Sequence, residues 1–192
     1  MSRNNKLTLL PDMNRRKLIK VGLLASLVCV NPLPAWASSA LNGVRERSLS
    51  LLNTHTGEGL QEVVYWEQGR YVRDALKELN YLLRDHRNDE VHPIDPQTLD
   101  LMAAISRKVD ARQPFEVISG YRSPHTNEIL RSSSKGVAKN SYHMQGKAVD
   151  FRLPGVPLRV VHKAALNLHR GGVGYYPKSD FVHVDCADVR SW

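Results

Sequence analysis

Ser141-Tyr142-His143-Met144-Gln145-Gly146-Lys147-Ala148-Val149-Asp150-Phe151-Arg152-Leu153 reads as a polar turn running into an alternating strand. Phe181-Val182-His183-Val184-Asp185 is a second strand of the same kind. Successive side chains of a strand point to opposite faces. Val149, Phe151 and Leu153 therefore share one face of the first strand, and Ala148, Asp150 and Arg152 the other. In the second strand Val182 and Val184 face a core, while His183 and Asp185 face away from it. If the two strands pair, Asp150 and His183 meet on one face, and His143 reaches it from the turn. Two imidazoles and one carboxylate suit a catalytic Zn²⁺, which keeps a fourth position for water. The spacing alone leaves the ligand set open, because each of the eight histidines can equally be a surface or core residue.

Working outward, Phe115 to Ser119 reads as a strand stopping at Gly120, and Ser123-Pro124 is a cap and first-turn pair for a helix through about Arg131. Ser132 to Asn140 is small, polar and basic, hence a loop. Leu158, Val161, Ala165 and Leu168 keep helical spacing, and Gly171-Gly172 ends that helix. Towards the N-terminus, Ser48 to Asn53 and Gln61 to Trp66 form a hairpin about Thr56-Gly57. Val72, Ala75, Leu76, Leu79, Leu82 and Leu83 mark an amphipathic helix from Tyr71 to about Arg87. Asp95-Pro96 opens another, with Leu99, Met102, Ala103 and Val109 inward. Helices and short strands do not alternate regularly, so the expected class is α+β, a small, mostly antiparallel sheet flanked by helices.

Four segments carry a resemblance: Ser119-Gly120-Tyr121-Arg122-Ser123; Ser141-x-His143-x2-Gly146-x-Ala148-x-Asp150; Gly171-Gly172-Val173-Gly174-Tyr175-Tyr176; and Phe181-Val182-His183-Val184-Asp185. In order and spacing the chain resembles the zinc D-alanyl-D-alanine peptidases, whose metal fold is shared with the hedgehog signalling domain. Within them it is most similar to the exported murein endopeptidase K group. The resemblance implies that His143, Asp150 and His183 hold one Zn²⁺ per chain. It also implies hydrolysis of peptidoglycan cross-links, both D-alanyl to meso-diaminopimelate and diaminopimelate to diaminopimelate. A carboxypeptidase trimming stem peptides uses the same metal chemistry, and a zinc-containing wall-binding module would keep the same fold.

Arg122 follows a strand end directly, where a fixed guanidinium can hold a substrate carboxylate or polarise a carbonyl. Ser141 either hydrogen-bonds substrate or organises the turn before His143. Tyr175 and Tyr176 line the cleft or pack against the last strand. Peptide hydrolysis also needs a proton acceptor near the attacking water. Asp185 is the favoured candidate because it shares the strand face of His183, with orientation of a ligand histidine as its other role. Asp180 is the second candidate, three residues before His183, where related dipeptidases carry a glutamate.

The first 37 residues read as a targeting segment. Asn14-Arg15-Arg16-Lys17-Leu18-Ile19-Lys20 carries an arginine pair, Val21 to Val30 is apolar, and Ala35-Trp36-Ala37 is a small-x-small cleavage site. That order matches the bacterial twin-arginine signal, so the expected partner of the precursor is the twin-arginine export machinery, and the expected location is the periplasm. The apolar run is too short to cross a bilayer, so no stable membrane span is expected after cleavage. The expected organisation is a signal peptide at 1–37, a polar segment at 38–47 and one zinc peptidase domain at 48–192.

The sequence carries 27 Lys/Arg against 19 Asp/Glu, a net charge of +8. Six of those cations and one acid lie in the first 37 residues, which leaves 21 against 18. The excess of positive charge is largely a property of the signal, and nucleic acid is excluded as a partner. Cys29 would leave with the signal and Cys186 stands alone, so no disulfide braces the domain.

Overall fold

The computed structural model describes residues 46–134 and 136–192, and these fall in one compact unit. The expected signal peptide and most of the polar segment lie outside the described residues. The strand β1 (Glu46–Asn53) nevertheless takes in the last two residues assigned to that segment. Arg47 belongs there because it pairs across the hairpin with Trp66 and its guanidinium reaches Asp100 at 2.7 Å.

The hairpin is β1 with β2 (Gly59–Glu67), extended by the two-residue β3 (Arg70–Tyr71). Its turn is organised by Asn53, whose Oδ1 accepts from the amides of His55 (3.0 Å) and Thr56 (3.2 Å) while its Nδ2 donates to Leu82 O. Helix α1 (Arg73–Leu82) buries Ala75, Leu79 and Leu82. The apolar spacing predicts helix to about Arg87, but the chain leaves it at Leu83. The departure delivers Asp85 to the amides of Ser123 (2.9 Å) and Arg87 (3.1 Å), and Arg84 to Glu58 (2.6 Å) and Asp89 (3.0 Å). Two charged side chains buried to 6% and 1% exposure need partners, and those partners outweigh another helical turn.

Helix α2 (Pro96–Lys108) starts as read, with the Asp95 carboxylate accepting from Gln97 N at 2.9 Å. After β4 (Phe115–Ser119), helix α3 (Pro124–Ser133) is capped by Ser123, whose Oγ accepts from Thr126 N at 3.1 Å. Then come β5 (Ala148–Arg152), α4 (Leu158–Leu166), β6 (Gly172–Tyr176), β7 (Phe181–Asp185) and the short β8 (Arg190–Ser191).

The strands form one sheet in the order β3-β2-β1-β4-β5-β7-β6-β8. Pairing is antiparallel except between β1 and β4 and between β6 and β8. The expected α+β class, with a mostly antiparallel sheet, is what the molecule has. The sheet is wider than the expected small one, since β3, β6 and β8 add to it.

Helix α1 packs on β2, α2 on β1 and β7, and α4 on β6 and β7. Between helices and sheet lie Leu51, Val117, Val149, Phe151, Val182 and Val184, all but inaccessible, with Phe115 edge-on to Phe151 at 4.8 Å. Each such side chain contributes about 1.5–3 kcal/mol by leaving water. This core fixes the register of β5 against β7, because a slip of one residue would turn every buried valine outward.

Candidate active site

In that register Asp150 lies directly opposite His183, and Ala148 opposite Asp185. The apolar alternation that sends Val149 and Val184 inward turns Asp150 and His183 to the other face together. His143 arrives on a 3-10 turn, Tyr142–Gln145, closed by Gly146 at φ 65°. A side chain on Gly146 would strike the carbonyl of Pro93, so glycine is required there for both conformation and space.

Three donor atoms converge. His183 Nδ1 is 2.8 Å from Asp150 Oδ1, His143 Nε2 is 3.2 Å from His183 Nδ1, and His143 Nε2 is 3.3 Å from Asp150 Oδ2. All three residues are buried. The outward atoms of both rings are anchored: His143 Nδ1 donates to Gly120 O at 2.7 Å, and His183 Nε2 donates to Asp185 Oδ2 at 3.0 Å. Each histidine thus has its outward nitrogen anchored by the protein and its other nitrogen aimed at the centre. Nitrogen and oxygen ligands about 2.0–2.1 Å from a tetrahedral zinc stand about 3.3 Å from one another. The donor set fits that ion in type and number, and both His143 distances match that spacing, while His183 and Asp150, hydrogen-bonded to each other, stand closer at 2.8 Å.

Charge agrees with geometry. Burial alone would raise the Asp150 carboxyl, but the two imidazoles outweigh it and hold it well below the usual carboxylate range. Burial alone would lower His183, but hydrogen bonds to Asp150 and Asp185 carry it up to about 9. The site is built to hold positive charge between carboxylates.

Asp185 stands behind His183, away from the open side. Its side chain has no solvent exposure. Oδ1 accepts from Gly172 N (3.1 Å), Ala187 N (3.0 Å) and Arg190 Nη1 (3.0 Å), and Oδ2 from His183 and Arg190 Nη2 (2.6 Å). Burial pushes this carboxyl up, and those donors outweigh it to leave it strongly lowered. The strand-face pattern favours Asp185 as proton acceptor; an enclosed carboxylate with every lone pair taken fits its other role, orienting His183. Asp180 sits at φ 53° in the β6–β7 turn, its side chain 64% exposed and 3.5 Å from Arg152 Nη1.

A cleft of about 380 Å³ opens over the three donors. Arg122 lines it, 3.9 Å from Asp150 Oδ2, with contacts of only 3.4 Å to Asn127 Oδ1 and Ser119 Oγ and a buried Nε that has no partner. Its guanidinium is lowered from the ordinary arginine value, chiefly by burial, with Asp150 opposing. Its two terminal nitrogens are only loosely held, each by a contact of 3.4 Å. Ser141 also lines the cleft; its carbonyl accepts from Met144 N and holds the turn, while its hydroxyl makes no cap bond. Tyr176 stands in the wall, stacked on Phe181 at 4.5 Å. Tyr175 does not. Period two puts it on the opposite face, where it stacks on His162 of α4 at 4.7 Å, which corrects its reading as a cleft residue.

Sequence reading missed Trp192, Arg190 and Phe181 in the cleft wall and the Gly120 carbonyl behind His143. One signal was present. Gly172 and Gly174 alternate within an otherwise strand-like run, and each lacks a side chain because another group fills its place: Arg190 and Asp185 at Gly172, the Trp192 indole at Gly174.

Comparison with known proteins identifies the family. The family described as Peptidoglycan L,D-endopeptidase MepK (Peptidase_M15_2) matches residues 42–192. The Peptidoglycan L,D-endopeptidase MepK of Escherichia coli strain K12 is 43% identical over 181 residues, spanning 94% of this chain and 98% of that protein. The Probable peptidoglycan L,D-endopeptidase MepK of Haemophilus influenzae is 42% identical over 182 residues, spanning 94% and 96%. Among solved structures, the Serratia marcescens L-Ala D-Glu endopeptidase ChiX aligns with a TM-score of 0.32 at 23% identity, over 50% of this chain and 68% of that one, too loosely to build on. With a whole-domain match and two relatives aligned almost end to end, the chain belongs to the peptidoglycan L,D-endopeptidase MepK family of peptidases.

Proposed function

We propose that this protein is an exported zinc endopeptidase that cuts peptide cross-links in peptidoglycan, with His143, Asp150 and His183 as the ligands of one zinc ion. The observation that carries this reading is the convergence of three buried donor atoms whose outward partners are already bound, at the floor of an open cleft. A bound zinc would supply a Lewis acid for the scissile carbonyl and bring the pKa of a coordinated water towards neutrality.

The chain's own residues do the rest. Asp185 fixes the His183 ring and makes its free nitrogen a better donor. Arg122 offers its loosely engaged terminal N–H groups to a substrate carboxylate or to the oxygen that gains charge as the carbonyl is attacked. Ser141 presents a free hydroxyl beside them. With Asp185 enclosed, the proton-accepting role passes to Asp180, which lies between the cleft residues Ser179 and Phe181 and is held by one exposed ion pair. A D-alanyl to diaminopimelate bond joins two D centres, whereas a diaminopimelate to diaminopimelate bond joins an L to a D centre. The relatives' L,D specificity thus points to the second as the preferred bond.

Export rests on the arginine pair and apolar run of residues 1–37, outside the described residues. Among the described residues no helix is long and apolar enough to cross a membrane. Digestion of purified cross-linked and uncross-linked muropeptides, read by mass spectrometry, tests the proposal. Conversion of diaminopimelate-linked dimers to monomers is expected. Release of a terminal residue alone would make the protein a carboxypeptidase, and no release from either would remove the enzyme reading.

A further inference from the structure

Trp192 is half exposed, yet it is held as firmly as a core residue. Its amide donates to Val173 O at 3.2 Å and its carbonyl accepts from Tyr175 N at 3.1 Å, continuing the β6–β8 pairing by one residue. Its indole Nε1 donates to Tyr176 Oη at 2.7 Å, and the ring lies 5.3 Å from that of His183, tilted by 48°. The Arg190 guanidinium, already bound to Asp185, stands 5.1 Å from the indole centre.

Gly174 explains how the ring comes so near. It is the residue opposite His183 on the neighbouring strand, and a methyl group there would lie 2.8 and 2.9 Å from indole Cε2 and Cζ2. The strand is left bare where the indole lies. An exposed aromatic ring clamped by two backbone bonds and one side-chain bond has lost its rotamer freedom before any ligand arrives, so it offers apolar contact at low entropic cost.

We infer that Trp192 is a substrate-contacting, specificity-determining residue: its indole forms the His183-side wall of the cleft and receives the aliphatic stem of the residue flanking the scissile bond. Arg122 lines the same cleft, its two terminal nitrogens each engaged only by a long contact of 3.4 Å. The pair suits a peptide residue with an apolar stem of several methylenes ending in a carboxylate-bearing centre, as diaminopimelate has. The inference rests on the peptidase reading above.

The test is steady-state hydrolysis of cross-linked muropeptide dimers by zinc-saturated wild type, Trp192→Ala and Trp192→Phe, alongside a substrate carrying alanine in place of the flanking diaminopimelate. Trp192→Ala should lose about tenfold in kcat/KM, chiefly through KM, with zinc content retained. Trp192→Phe should recover most of it, and the preference for diaminopimelate over alanine should shrink in Trp192→Ala. Loss of zinc or of kcat at unchanged KM would make Trp192 a cover for His183 and overturn the inference, as would an unchanged substrate preference. Because wild type is measured in parallel, its failure to cut either substrate would count against the peptidase reading itself.

Discussion

His183 lies between two carboxylates, with Nδ1 2.8 Å from Asp150 on the neighbouring strand and Nε2 3.0 Å from Asp185 on its own. One contact faces the cleft and the other is sealed from it. The ring therefore has a working side and an anchoring side, and the two aspartates have different duties.

That division predicts opposite behaviour for the two candidate bases. Asp185→Asn should weaken zinc binding by about 10–100-fold, the scale for loss of a partner behind a ligand histidine, and regain much of its turnover when zinc is supplied in excess. Asp180→Asn should keep its zinc and lose at least about 100-fold in kcat. Metal content after dialysis, with kcat at saturating zinc, separates them; full activity in zinc-loaded Asp180→Asn would return the role to another group.

Removal of the metal should abolish hydrolysis while leaving the chain folded, since the core between helices and sheet owes nothing to it. His143→Ala, Asp150→Ala and His183→Ala should each lose zinc and activity. Circular dichroism with metal analysis checks both parts, and the melting temperature should rise with added zinc in wild type but not in the variants.

On the proposed ligand set, a proton and a zinc ion would compete for His183 Nδ1. With that imidazole raised to about 9, zinc uptake at pH 7 should release about one proton, and apparent affinity should climb with pH until about 9. Calorimetry in buffers of different ionisation enthalpy measures the proton count. The raised value also gives the metal-free chain stability that is full below about 6.5 and lost as pH rises through about 9.

Acid should act through a different histidine. His86 is lowered to about 4, first by burial and then by the His55 ring stacked on it at 3.9 Å. The unfolded chain binds this proton from about pH 6.5 downward and the folded chain does not, so stability should fall between about pH 6.5 and pH 4. His86→Gln should flatten that part of a denaturation profile measured against pH.

Gly120→Ala should cost about 1–3 kcal/mol and weaken metal binding together. The added methyl would strike the Leu83 backbone carbonyl oxygen and lie 2.9 Å from Leu83 Cβ, and relieving it must move the carbonyl that fixes His143. Urea denaturation and zinc titration on one sample would reveal a variant that loses stability alone.

For the precursor, Arg15→Lys with Arg16→Lys should strand the chain in the cytoplasm, where fractionation would find it. Normal arrival in the periplasm would refute the twin-arginine reading.

Local chemistry was legible in the sequence. Asp95-Pro96 and Ser123-Pro124 cap the helices they precede, and period-two alternation put Asp150 and His183 on the face that they share. What escaped was set by distant neighbours. The end of α1 depends on Ser123, nearly forty residues onward, receiving Asp85. β6 is glycine-rich because Arg190 and Trp192 lie against it, and its alternating glycines mark the space without naming the residues that fill it. Asp185 and His183 share a face by alternation, but only the approach of Gly172, Ala187 and Arg190 decides which of the two meets solvent.

The anchoring of His143 by the carbonyl that follows β4, and the meeting of Asp150 with His183 only across paired β5 and β7, have a consequence for the life of the chain. No fragment or intermediate that lacks β4, β5 or β7 contains the site even in outline. A hydrolase aimed at the polymer that holds the cell together thus gains its site only where β4, β5 and β7 have come together.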